Sequence, residues 1–477
     1  MYEEAINYFT GAINFKSTQN AIFALGEIYF NRGTCYEKVG DHDKAVSDLK
    51  EAAFLSPSAP TFNNLAASLS GKGDNSSALS FLNKALSLIP DPRYFQNRGW
   101  LYELLGNEEA ALTNYNQAVI LGARNSKVFN QRALIWQRRG NLDNAFQDFT
   151  EAIKQDPKDP APLANRGNVF SQRGEWRQAV TDYDRAITID LRLSSVFIDR
   201  GRAFIKLRET NRAFADWNRA ILLDSNSITA YVLLGVEHLN RGEAEVAIEY
   251  FTRQINHTPD GGGFFNRAYA YRVRRNNKLA IADCNKAVQL GYTNEHVYNL
   301  RGTANAEEGL FDDAIRDFTL SIAGNPLDSA VRHNRADVYF RMSKCKEALP
   351  DLTFLLQRTN SPELWLMRAD AYFFGSNFVE AIRDCEAAIL GKPKYAAAYS
   401  RLGDAYWSQD LGSNAISAYD KALNYNPASE PDYLHRGEAF LSLGDRERAK
   451  KDFLHVFRIS TNAYNRTSAS NLLYLLK

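Results

Sequence analysis

"NRGNVFSQRGEWRQAVTDYDRAITID", residues 165–190, carries the pattern that decides the fold. Gly167, Ala179 and Ala186 are small, Phe170 and Tyr183 are large and aromatic, and Gly174 separates the two halves. The arrangement recurs along the chain. Ala45, Ala78, Ala111, Ala145, Ala179, Ala213, Ala247, Ala280, Ala314, Ala348, Ala381, Ala415 and Ala449 follow one another at intervals of 33 or 34 residues. Twelve residues before each stands Gly or Ala, and seven residues after each Ala returns in nine of thirteen cases. Small residues at three fixed offsets in such a period require paired helices packed too closely for larger side chains. The sequence therefore reads as a helical solenoid.

Counted as positions 1 to 34, the small residues occupy 8, 20 and 27. Large residues favour position 11 (Tyr36, Trp136, Phe170) and position 24 (Tyr115, Phe149, Trp217). Gly is frequent at position 15, where it permits a tight turn, and Pro at position 32 closes one repeat before the next. Over residues 26–461 this pattern resembles the tetratricopeptide repeat family. The resemblance implies an all-α, right-handed superhelical solenoid of thirteen helix-turn-helix repeats. Their bounds are 26–58, 59–91, 92–125, 126–159, 160–193, 194–227, 228–260, 261–294, 295–328, 329–361, 362–395, 396–429 and 430–463. Ala5, Phe9 and Ala12 match positions 20, 24 and 27, so residues 1–15 read as a second helix without its first. Such a start fits a short form or a fragment of a longer array. Residues 16–25 read as an irregular insertion and 464–477 as a C-terminal capping helix. The tail Leu472, Leu473, Tyr474, Leu475, Leu476 is apolar on more than one face, which suits folding over the last repeat, binding a partner or self-association.

Composition narrows the function. The chain has 57 basic and 56 acidic residues, a balance that argues against nucleic acid or anionic membrane as a general partner. No apolar run approaches the roughly 18 residues of a membrane span, and "YEEAINYF" after Met1 lacks the features of a secretory signal. Four cysteines without CxxC spacing fit a reducing compartment, with Cys284 and Cys385 at the core position 24. A cytoplasmic location follows from these features, and the sequons at Asn75, Asn256 and Asn465 read as accidental there. Gly261, Gly262 and Gly263 have no Gly-Lys-Ser/Thr after them and no strand before them, so they read as a loosened repeat junction rather than a phosphate loop.

Position 7 is Arg in ten repeats: Arg32, Arg98, Arg132, Arg166, Arg200, Arg267, Arg301, Arg335, Arg368 and Arg436. Ten arginines in register suggest a groove for nucleic acid or phosphopeptide, but position 23 decides otherwise. It is Asp in nine of those ten repeats, while Arg98 is matched with Asn114. Where position 7 is Leu (Leu65, Leu234, Leu402), position 23 is Phe81, Tyr250 or Ala418. The two charges come and go together, which predicts an ion pair between the two helices of each repeat.

The resemblance implies that first helices line a concave surface, with ligand contacts from positions 2, 5, 6, 9, 12 and 13. Position 6 carries Asn31, Asn64, Asn97, Gln131, Asn165 and Asp199, then Asn266 and Asn334. Asn63, Gln96, Asn130 and Asn168 at positions 5 and 9 add to this polar lining. A carboxamide offers donors and an acceptor, and so can satisfy both groups of an extended peptide backbone without reading its side chains. A similar asparagine ladder occurs in the superhelical domain of O-linked N-acetylglucosamine transferase. The alternative is that surface helices simply favour amides there. Toward the C-terminus, position 9 reads Asp337, Asp370, Asp404 and Glu438, beside Phe340, Phe373, Trp407 and Leu441 at position 12. Those columns suit a ligand bearing Lys or Arg, unless the position 12 residues pack between repeats and the acids are merely solvated. The chaperone-tail clamp of related proteins needs Lys at position 5, which never occurs here.

Seven scattered histidines form no HExxH spacing, no nucleophile elbow is visible, and repeats fill the chain. The sequence is therefore read as a non-enzymatic scaffold or adaptor, without cofactor or metal, holding extended segments of other proteins. The alternative reading is a regulatory or substrate-recruiting portion of a larger enzyme or multiprotein assembly. Family resemblance points to settings such as the cilium, the centrosome or the cell-cycle machinery.

Overall fold

The computed structural model describes the backbone of residues 1–14 and 21–476, and the side chains of residues 1–14 and 25–476. The described residues form twenty-eight α-helices and no strand. A lone helix, Tyr2–Asn14, precedes thirteen helix pairs, and the helix Ala463–Tyr474 follows them. In each pair we term the first helix A and the second B. Contacts divide the chain into two compact units, Met1–Ala230 and Tyr231–Lys477. Within each unit an A helix packs on its own B helix, and that B helix packs on the next A helix. Each unit is thus an all-α solenoid whose core is a succession of clusters between neighbouring helices.

Ring packing explains the small residues. A Cβ on Gly403 would lie 2.5 Å from Tyr419 Cε1, and one on Gly99 would lie 2.8 Å from the Tyr115 ring. The rings at position 24 therefore pack directly against the backbone of the helix opposite, and Tyr115 and Tyr419 are fully buried. Position 15 has positive φ in all thirteen pairs, eight times as Gly and five times as Arg208, Arg275, Ser343, Ser376 and Asp410. The left-handed residue that ends each A helix is thus geometric, whatever side chain occupies it.

The structure corrects two of these expectations and adds a break in one helix. Residues 21–25, assigned to an irregular insertion, form the first turn of the helix Ala21–Val39, and no Gly or Pro in "AIFAL" interrupts it. Residue 15 and the rest of that insertion, 16–20, lie outside the described residues. The junction at Gly261–Gly263 is tight rather than loosened. Gly261 and Gly263 are buried in the first turn of the helix Gly261–Val273, and a Cβ on Gly263 would fall 2.9 Å from Gln254 Nε2. Asp260 caps this helix by accepting from the Gly263 N–H at 2.6 Å. In the tenth pair the B helix is broken. Cys345–Ala348 is 3₁₀ and Leu349–Leu356 is α, with Pro350 in the first turn of the latter, where its missing N–H is harmless.

Leu472 and Leu473 of the last helix, with Leu476 just beyond it, pack against a core of Leu434, Phe440, Phe453 and Val456. The apolar tail therefore covers the last pair, with Leu475 left 68% exposed.

Candidate functional site

The A helices place the candidate amides in partial exposure, and most of them are already bonded to the repeat before. Asn64 Nδ2 donates to Thr34 Oγ1 at 3.2 Å, Asn97 Nδ2 to Asn63 Oδ1 at 2.7 Å, and Asn165 Nδ2 to Asn130 Oδ1 at 3.0 Å. Gln131 Nε2 donates to Glu103 Oε2 at 3.4 Å, and Asn125 Nδ2 to Gln96 Oε1 at 2.9 Å. Asn63 and Asn130 also donate to their neighbours Asn64 and Gln131, at 3.2 and 3.4 Å. Position 6 thus reaches back to position 5, 9 or 12 of the preceding repeat. A carboxamide has two N–H donors and two lone pairs, so Asn97 and Asn165 each keep one N–H and a carbonyl oxygen beyond these bonds. Asn31 is exposed, and Asn168 accepts from the Tyr183 hydroxyl at 2.6 Å. Asp199 receives Arg202 of its own helix at 2.9 Å, and burial nevertheless lifts its pKa above the usual carboxylate value.

Toward the C-terminus the same reach is made by charged groups. Arg401, at position 6, donates from Nε to Asp370 Oδ1 at 2.6 Å and from Nη1 to Asp404 Oδ2 at 3.1 Å. Its guanidinium also lies 4.5 Å from the centroid of the Phe373 ring. The place read as a seat for a ligand's basic group is therefore held by the chain's own arginine. His435, the next position 6, has Nδ1 3.0 Å from Asp404 Oδ1, and the Tyr419 hydroxyl donates to that same oxygen at 2.8 Å. Burial lifts the pKa of Asp370, Asp432 and Glu438, and the hydrogen bond to Asp404 lifts that of His435. Asp337 stays exposed, Phe340 packs into the core beside Leu352, and Trp407 is half-buried.

The arginine array is structural. All nine Arg–Asp pairs join the A and B helices of one repeat through two hydrogen bonds. In Arg166–Asp182 these measure 2.7 and 2.9 Å, with side chains 14% and 4% exposed. Sequence reasoning missed the third nitrogen. Nη1 of each of the ten arginines donates to position 25 of the preceding B helix, as Arg335 does to Thr319 at 2.9 Å and Arg436 to Asp420 at 2.7 Å. The acceptors are Thr10, Asn83, Asn116, Thr150, Asp184, Thr252, Asn285, Thr319, Thr353 and Asp420. The signal was present, since Lys50 and Glu386 stand at position 25 before two of the three repeats that lack the arginine.

Among the described residues no group of three or more His, Cys, Asp or Glu is placed to hold a metal ion. Burial pushes the Cys284 thiol up to about 12 and raises that of Cys385, as expected for core cysteines. No described helix is long and apolar enough to cross a membrane.

Comparison with known proteins agrees with this architecture. Sequence profiles described as "Tetratricopeptide repeat" match residues 26–58, 59–92, 92–119 and 433–462, and residues 333–393 and 366–433. The chain is 26% identical over 210 residues to human "Tetratricopeptide repeat protein 6", covering 42% of this chain and 39% of that protein. It is 27% identical over 184 residues to human "Tetratricopeptide repeat protein 13", covering 37% of this chain and 21% of that one. The matches therefore span well under half of those relatives' own lengths. Among solved structures, a chain of the APC/C hetero-tetramer Cut9–Hcn1 aligns over 94% of this chain and 96% of its own, at 15% identity and a TM-score of 0.36.

Proposed function

This chain belongs to the tetratricopeptide-repeat family, whose members mediate protein–protein interaction, and from that footing we propose that it is a non-enzymatic scaffold holding extended peptide segments along its A-helix face. The observation that carries the reading is the amide ladder. Asn97 and Asn165 are fixed by bonds to the preceding repeat, yet each retains hydrogen-bonding groups for a ligand. Side chains held in place lose less conformational entropy when a peptide binds. Because such contacts are made to backbone, affinity depends on an extended conformation more than on peptide sequence. The C-terminal acidic groups are a weaker seat for a basic ligand, since Arg401 must first be displaced from Asp370 and Phe373.

The test is titration of captured partner peptides, unrelated in sequence, against the wild-type chain and a variant with Asn64, Asn97 and Asn165 all changed to Ala. Each lost hydrogen bond is worth roughly 0.5–1.5 kcal/mol, so affinity should fall about tenfold or more for every peptide. Unchanged affinity would reject the ladder as the binding surface.

A further inference from the structure

Arg98 departs from the nine other arginines of its register. Nε donates to Asn114 Oδ1 at 2.8 Å and Nη1 to Asn83 Oδ1 at 2.7 Å, both neutral carboxamides. In the other nine a carboxylate receives Nη2, as Asp48 receives that of Arg32 at 2.8 Å, but Nη2 of Arg98 has no acceptor among the described residues. Asn114 is held in place, because its own Nδ2 donates to the Ala110 carbonyl at 2.7 Å. Burial pulls the Arg98 pKa below the usual guanidinium value, whereas the hydrogen bond to Asp48 keeps that of Arg32 above it. A half-buried cation without a counter-charge is costly. In the three repeats that dispense with the ion pair both charges are absent, whereas here only the carboxylate is.

The surroundings supply no acid. Asn83 lies on the helix Asn75–Leu88, which contains neither Asp nor Glu and whose single charged residue is Lys84. Asn83 and Lys84 line an open groove of about 490 Å³ together with the hydroxyl-bearing Ser76, Ser80 and Ser87. On the other side, the helix Glu108–Ile120 carries acids only in its first turn, and these pair with Arg138 and Arg139 of the next repeat. Arg98 meets this groove through Asn83, and the Ser87 hydroxyl donates to the Lys84 carbonyl at 2.8 Å, so an unmatched guanidinium, an ammonium and the hydroxyls of Ser76 and Ser80 adjoin on the B-helix face. That combination of donors suits a multiply charged oxyanion, because charge-assisted hydrogen bonds to phosphate are among the strongest available.

We propose that Arg98 and Lys84, with the hydroxyls of Ser76 and Ser80, form a phosphate-binding site on the B-helix face, separate from the amide ladder. Asn114 fills the aspartate's place, and the phosphate supplies from the groove side the counter-charge that an aspartate supplies within the other nine repeats. It could be borne by a phosphorylated partner protein or arrive free, and the chemistry of recognition is the same.

The experiment measures the melting temperature of the full chain against inorganic phosphate, with chloride holding ionic strength constant. The wild type should show a saturable rise. Asn114→Asp supplies the missing carboxylate, so this variant should melt higher without phosphate and lose the phosphate-dependent rise. Lys84→Gln, at an exposed position, should shift half-saturation about tenfold higher, the loss of one charge-assisted contact. A short peptide bearing one phosphoserine, titrated in parallel, distinguishes the sources. Half-saturation well below that of inorganic phosphate assigns the site to a phosphorylated protein, and equal values assign it to free phosphate. No rise in the wild type, or the same rise in Asn114→Asp, would overturn the proposal.

Discussion

Arg166 holds Asp182 of its own repeat through two hydrogen bonds of 2.7 and 2.9 Å, and with its remaining nitrogen reaches Thr150 of the preceding repeat at 3.1 Å. One side chain thus closes the A–B pair and ties it to its neighbour. Because Asp182 is nearly inaccessible, loss of one partner leaves a buried charge uncompensated. Arg166→Leu should destabilise by about 3–5 kcal/mol, and adding Asp182→Ala should restore much of that. Denaturant melts of the two single variants and the double variant check this, and additive losses would contradict it.

The contact to position 25 should be measurable separately. Thr319→Val removes the acceptor for Arg335 Nη1 while keeping the shape of the side chain. A hydrogen bond from a charged donor contributes about 1.5–3 kcal/mol, discounted here toward the lower end because the contact is exposed. The position 25 residues not followed by arginine include no Thr, so the control is Thr181→Val, whose hydroxyl donates to the Arg177 carbonyl of its own helix at 3.0 Å. The control should cost less.

Five turns carry a side chain where the backbone favours glycine. Arg208 and Ser376 have φ of 63° and 60°. A left-handed L-residue costs roughly 1–2 kcal/mol, partly offset by the greater unfolded freedom of glycine. Ser376→Gly should therefore stabilise by up to about 1 kcal/mol, and Gly174→Ala, at φ 77°, should destabilise by a similar amount. A lower denaturation midpoint for Ser376→Gly would contradict this.

Stability should also depend on pH. Asp404 raises the His435 pKa by its hydrogen bond, opposed by burial, with Glu438 and Asp432 adding to the effect. Arg401 bonds to the same Asp404 carboxylate from the preceding A helix, and the Tyr419 ring faces the imidazole from the intervening B helix. A group whose folded pKa exceeds its unfolded value stabilises fully below the unfolded value, near 6.5 for histidine, and loses that contribution as pH rises through the folded pKa. Asp370, Asp432 and Glu438 are raised by burial and act in the same direction, from the carboxylate range upward. The chain should therefore melt higher at about pH 6 than at about pH 8, and His435→Gln should flatten that difference. An undiminished difference in the variant would contradict the assignment.

The fold was legible because packing constrains type at every period. Position 8 must be small wherever a ring such as Tyr419 lies on it, so the constraint appears as a column of Gly and Ala. The Arg–Asp pairs were legible because Leu65, Leu234 and Leu402 lose both charges together. The groove was harder to read. A column of acids at position 9 looks like a seat for a basic ligand until position 6 is read with it, where Arg401 and His435 replace the amides. The amides in turn looked free because their partners lie 28 to 35 residues away, in the preceding repeat. Bonds of that range emerge only once the stacking offset between A helices is known.

A scaffold of the proposed kind holds peptide backbone along the amide ladder of the A helices. A crystal structure of the chain with a captured peptide tests this placement most directly. The complex should contain an extended segment whose backbone N–H and C=O groups lie within hydrogen-bond distance of Asn97 and Asn165, with the bonds to Asn63 and Asn130 intact. A peptide bound to the B helices alone, or bound as a helix touching neither asparagine, would contradict that placement.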